Sequence, residues 1–146
     1  MFKTLIKNKI RDCAFLYLQN KKLSHSKVKH IEYKSLEIAP YLCDTRFTAA
    51  EKSCLLKLRS SMTLVRNNYK SAYPDVSCPC NGTQTQTQEH LLVCSIIRNK
   101  CKQLRDDNNE VCYSDIFSDT DQQLRAVRLF TVILEVLAEE MPLFND

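Results

Sequence analysis

Residues 78–94 read CPCNGTQTQTQEHLLVC, and this stretch decides the reading of the whole chain. It holds Gly82, the only glycine among 146 residues, and three of the eight cysteines. Sheet-rich folds need many tight turns, which glycine makes at least steric cost. A single glycine therefore argues against a sandwich, a barrel or a dinucleotide-binding unit. It also rules out every glycine-rich phosphate loop. The expectation is an all-α fold, a small helical bundle. Four soft or borderline ligands, Cys78, Cys80, His90 and Cys94, also fall within this window. Zinc takes such a set in a tetrahedron, and a site filled by four protein ligands keeps no open position for Lewis-acid chemistry. The expected arrangement is a zinc-stapled loop–helix, Cys-x-Cys followed by His-x3-Cys. The first pair is spaced Cys-x-Cys rather than Cys-x2-Cys, and a turn at Pro79 must bring Cys78 and Cys80 together. His90 and Cys94 are four apart, so a helix over 89–105 puts them on one face. Cys101 is the alternative to one of the first two thiols. Burial as small hydrophobes is the competing reading of these cysteines.

Outward from the knuckle the chain is helical by period. Residues 2–19 place Phe2, Leu5, Ile6, Ile10, Cys13, Ala14, Tyr17 and Leu18 at helical spacing, as a core-facing helix. A second helix or extended stretch is expected over 27–38, stopping before Pro40. Thr48 and Glu51 form a capping box for a third helix that carries Cys54, Leu55, Leu58, Met62 and Val65 and runs towards Ser71. The TQTQTQ run has no apolar face and is read as loop. Residues 106–110 form a turn. A last helix starts near Ser118, with Asp121 as its capping partner, and ends at Pro142. Cys13 and Cys54 fall on apolar stripes and are read as core. The chain is expected to be a single domain, 1–146. Its parts are a basic helical half over 1–74, a knuckle plus helix over 75–105 and a C-terminal packing helix over 112–146.

Charge divides along the same line. Residues 1–74 carry 15 Lys/Arg against 5 Asp/Glu, and residues 75–146 carry 6 against 12. A basic half suits a polyanion, although attraction between the two halves explains the same asymmetry. Lys27, Lys29, Lys34, Lys57, Arg59, Arg66 and Lys70 are the candidate phosphate contacts, with Tyr33, Tyr69 and Tyr73 available to stack on bases. No apolar stretch is long enough to span a membrane, and no secretory leader is visible. The thiols are expected to be reduced, in an intracellular protein with no membrane partner. No carboxylate pair and no cysteine–histidine–orienter set stands out, so no catalytic residue is expected.

Cys78-Pro79, then Thr87-Gln88-Glu89-His90-Leu91-Leu92 and Cys94, resembles the cysteine/histidine knuckle near the C-terminus of non-LTR (LINE-like) retrotransposon polyproteins. That pattern runs Cys-Pro-x-Cys, a polar stretch, Glu-His, two apolar residues, one variable residue and Cys. Leu55 to Lys70, LLKLRSSMTLVRNNYK, is similar to the family's Leu-Arg-x-x-Met segment. His25 to Lys29, Tyr33 and Tyr41-Leu42 extend the likeness to about residues 20–100. Cys80 stands one position early, and no counterpart of the polymerase's paired aspartates is present. The resemblance implies a tail module, without the polymerase, that holds RNA template or target DNA with weak sequence preference, and it implies a nuclear location. The alternative is a helical module for a protein partner, or a domesticated remnant that no longer binds nucleic acid.

Overall fold

A computed structural model describes residues 2–24, 39–105 and 111–143. The described residues are helical, with one isolated bridge between Ser77 and Thr85 and no strand. The helices are α1 (Phe2–Ser24), α2 (Pro40–Cys43), α3 (Ala49–Arg59), α4 (Ser95–Lys100), α5 (Lys102–Arg105) and α6 (Thr120–Glu140). Three 3-10 turns, Arg66–Tyr69, His90–Leu92 and Tyr113–Phe117, join them. The expected second helix over 27–38 and the turn over 106–110 lie outside the described residues.

α6 is the hub. Ala126, Val127, Phe130, Ile133 and Leu137 are buried along it. They pack with Leu55 and Leu58 of α3, Ile97 of α4 and Ile116 of the third 3-10 turn. Asp119, not Ser118, caps α6, accepting from the Gln122 amide at 2.9 Å. Ser118 instead closes the preceding turn. Asp121 is thereby released to pair with Arg46, whose guanidinium also grips Asp44. This grip holds the Asp44 carboxyl down at about 2.

α3 starts as its capping box requires. The Thr48 hydroxyl accepts from the Glu51 amide at 3.1 Å, and the Glu51 carboxylate accepts from the Thr48 amide at 2.8 Å. Glu51 also receives Arg128 of α6 at 3.1 Å. The helix stops at Arg59, well short of the expected end. The Met62 amide donates to the Lys57 carbonyl and the Ser61 amide to the Leu58 carbonyl, which is a Schellman closure. Ser61 sits at φ 52° in the position usually held by glycine. The stop lets Thr63 and Val65 turn inward, where both are buried.

α1 forms as its periodicity predicts, but its stripe does not join the core. Leu5, Ile6, Ile10 and Leu16 are between 48% and 64% exposed, and Cys13 is exposed too. Of the expected stripe Leu18 is half-buried, together with Phe15 and Gln19. Periodicity states that a helix has an apolar face and says nothing about what covers it. Cys54 is half-buried against the core as expected, and burial pushes its thiol up.

Candidate metal centre

A tight loop carries the first two thiols. Cys78 donates its amide to the Gln84 carbonyl at 2.7 Å, and Gln86 donates to the Val76 carbonyl at 2.8 Å. Between these rungs the chain reverses through Pro79–Gly82. The Gly82 amide returns to the Cys78 carbonyl at 2.9 Å, with Gly82 at φ +69°. The Asn81 side chain accepts from the Thr83 and Gln84 amides, both at 3.1 Å, and fixes the tip. The turn at Pro79 thus overcomes the short Cys-x-Cys spacing.

The second pair is not presented by a helix, contrary to the sequence expectation. His90 begins the 3-10 turn His90–Leu92, and Cys94 is the extended cap of α4 at φ −61°, ψ 124°. The expected single helix over 89–105 is broken here and again at Cys101, where ψ is 105°. Each break turns a cysteine inward, and both Cys94 and Cys101 are buried. Thr87 sets the start of the turn, its hydroxyl accepting from the His90 amide at 3.0 Å.

The four side chains converge. One ligand atom from each of Cys78, Cys80, His90 and Cys94 lies within 4.8 Å of all the others. The Cys78 and Cys94 sulfurs are 3.7 Å apart, and the Cys80 sulfur is 3.3 Å from His90 Nε2. No disulfide joins them, since an S–S bond is about 2.05 Å long. A tetrahedron of metal–sulfur bonds about 2.3 Å long has sulfur–sulfur edges of about 3.8 Å. The Cys78–Cys94 distance has that length. Cys78, His90 and Cys94 are buried and Cys80 is half-buried. Burial, with the neighbouring thiols, pushes Cys78 up to about 12, and burial lowers His90 so that its imidazole is neutral. Three clustered thiols and a neutral imidazole can together hold a metal ion. Cys101 is not part of the cluster.

The TQTQTQ run is more than loop. Gln86 and Gln88 are buried, at 0% and 4% exposure. Gln88 donates to the Leu58 carbonyl and to the Tyr113 hydroxyl, each at 2.9 Å. Its carbonyl accepts from Asn68 at 3.2 Å and from the Thr63 hydroxyl. Every hydrogen-bonding position of its amide is filled. Gln86 accepts from the Arg66 amide at 2.9 Å and reaches the Met141 sulfur at 3.7 Å. These two residues join the knuckle to α3, the first and third 3-10 turns and the end of α6. Sequence reading missed them because glutamine carries no burial signal. The only trace is their alternate spacing, which puts both on one side of an extended segment.

The candidate nucleic-acid residues are dispersed in role. Lys57 and Lys70 are exposed. Arg59 stacks over the Tyr41 ring at 5.4 Å, and Arg66 donates to the Ser77 carbonyl at 3.2 Å. Tyr69 and Tyr73 are half-buried. Lys27, Lys29, Lys34 and Tyr33 lie outside the described residues. Among the described residues no helix is long and apolar enough to cross a membrane. No family model, no curated protein and no solved structure matches the chain.

Proposed function

We propose that this chain is a zinc-stapled helical module that contacts RNA or DNA and catalyses no reaction. The observation that carries the metal part is the meeting of Cys78, Cys80, His90 and Cys94 within 4.8 Å. Three thiolates and one imidazole are a zinc donor set, and they would fill all four positions. When bound, zinc would supply cross-linking energy and thiolate charge balance rather than an activated water. The residues' own task is to tie the 78–82 loop to the start of α4 and hold the Gln86–Gln88 segment against the body.

Support for nucleic acid is the basic balance of residues 1–74 and the resemblance to the retrotransposon tail knuckle. Lys57 and Lys70, exposed near the body, and Lys27, Lys29 and Lys34 would neutralise phosphates, each steepening the salt dependence by about one unit. A protein partner is the second reading. It is favoured by the internal use of Arg59 and Arg66, which leaves fewer free cations than the sequence suggests.

The test has two steps. Protein purified under reducing conditions is assayed for metal, with Cys94→Ser beside it. One zinc per chain, lost in the variant along with thermal stability, is the expected result. Fluorescence anisotropy with single-stranded RNA and duplex DNA follows, for wild type and for a Lys57→Glu/Lys70→Glu double variant. Salt-sensitive binding weakened at least ten-fold in the variant is expected. Metal-free, chelator-indifferent protein would refute the zinc staple. Zinc-loaded protein that binds neither polymer would refute the nucleic-acid role and leave the protein-partner reading.

A further inference from the structure

The tip of the metal loop is an Asn-Gly pair. Asn81 is followed by Gly82, and no other asparagine of the chain precedes a glycine. Both residues are exposed, directly after the ligand Cys80. We infer that Asn81 is a deamidation site, and that closure of the metal loop gates its reaction with water. The inference rests on the zinc reading of Cys78, Cys80, His90 and Cys94.

The chemistry needs only water. The Gly82 backbone nitrogen attacks the side-chain carbonyl carbon of Asn81, and its proton passes to the leaving group. A nitrogen–carbon bond forms, the bond to the Asn81 side-chain nitrogen breaks, and ammonia leaves a cyclic succinimide. Water then opens the ring at one of its two carbonyls. One opening gives aspartate. The other gives isoaspartate, in which the main chain runs through the former side chain. Nothing is oxidised or reduced.

Three observations carry the inference. The first is access. Glycine has no Cβ to shield the attacking nitrogen, and nothing lies within 4 Å of the place a Cβ would take at Gly82. The second is that the closed loop engages both reacting groups elsewhere. The Gly82 amide donates to the Cys78 carbonyl at 2.9 Å. The Asn81 side-chain carbonyl accepts from the Thr83 and Gln84 amides, and its side-chain nitrogen donates to the Gln84 side chain at 3.3 Å. Attack requires these bonds to open. The third is that the restraints hang on metal ligands. Cys78 supplies the carbonyl that holds Gly82, its amide bonds the Gln84 carbonyl, and Cys80 adjoins Asn81. A metal that ties both thiols down keeps the loop closed, and its loss frees the Gly82 nitrogen and the Asn81 carbonyl together. The two products differ in what they do to the loop. Aspartate keeps an acceptor for the Thr83 and Gln84 amides. Isoaspartate lengthens the main chain between Cys80 and Gly82, which displaces the Gly82 amide from the Cys78 carbonyl. Metal loss thereby becomes permanent in the chains that isomerise.

The test ages the full chain, zinc-loaded and chelated, in neutral reducing buffer. Peptide mass spectrometry reads the aspartyl and isoaspartyl fractions at residue 81, with the exposed Asn99 of α4 as internal control. Metal content and far-ultraviolet circular dichroism are followed in the same samples. Chelated protein is expected to modify Asn81 about ten-fold faster than zinc-loaded protein or more, with Asn99 unchanged in both. Cys78→Ser without chelator should match chelated wild type. Isoaspartyl chains separated after ageing should fail to regain zinc, and aspartyl chains should regain it. Equal rates in zinc-loaded and chelated protein overturn the gate and leave the zinc staple standing. Protein that holds no zinc refutes the staple and the gate together. Chelated protein whose helices melt overturns a gate at the level of the loop. Isoaspartyl chains that regain zinc overturn the permanence of the loss.

Discussion

Gln88→Ala removes the side chain that joins the knuckle to the helical body. Four partners lose their bond: the Leu58 carbonyl, the Tyr113 hydroxyl, the Thr63 hydroxyl and the Asn68 amide. Two of them have other recourse. Asn68 still donates to the Thr63 carbonyl at 3.0 Å, and Tyr113 is only half-buried and can reach water. The Leu58 carbonyl keeps the Ser61 amide and the Thr63 hydroxyl keeps the Asn68 amide at 3.3 Å, so each loses one bond, but the Thr63 hydroxyl proton is left buried without its acceptor, at about 1–3 kcal/mol. The expected loss is about 2–4 kcal/mol, a large share of a stability of order 5–15 kcal/mol. Urea unfolding of metal-loaded protein, followed by far-ultraviolet circular dichroism, measures it as a fall in midpoint at unchanged slope. Gln88→Glu tests the same hub differently. It keeps the volume and the acceptors but has no donor for Leu58 or Tyr113, so it too should destabilise. The reasoning fails if both variants cost less than about 1 kcal/mol, since the glutamine would then be buried without holding anything.

Other perturbations have signs that follow from local geometry. Ser61→Gly should be neutral to about 1 kcal/mol stabilising in the same assay, because φ 52° strains any residue with a Cβ, while Ser61→Val should cost about 1–2 kcal/mol. The Thr48 amide and then Arg128 hold the Glu51 carboxyl below its ordinary range. A depressed folded-state value contributes stability that is present above the unfolded pKa and is lost as pH falls through the folded one. Stability should therefore decline below about pH 4.5, and Glu51→Gln should flatten that part of the profile. Asp44, held at about 2 by Arg46, acts in the same direction further into acid. Chelation should lower the thermal midpoint of wild type and leave Cys94→Ser unchanged, because a structural zinc site contributes folding energy directly.

What could be read from the chain is what depends on neighbours a few residues away. The Thr48–Glu51 box and the end of α6 before Pro142 are both local, and each stands in the structure. The four candidate ligands were legible because soft donors are few and this set is clustered within 17 residues. The helix over 89–105 was misread for the same reason. Its periodicity is real, but the backbone is extended at Cys94 and Cys101, and periodicity carries no sign of such breaks. Glutamine and threonine look alike on a surface and in a satisfied interior, so the burial of Gln86, Gln88 and Thr63 depends on partners 20 to 55 residues away. By itself the sequence determined that the described residues are helical, where α3 begins, and that the soft donors gather within residues 78–94. Only the tertiary structure decided where α3 stops, that Leu5, Ile6 and Ile10 of α1 stay exposed, and that the polar run is welded into the core. Those outcomes turn on which long-range partner each group meets, and no window of local periodicity contains that information.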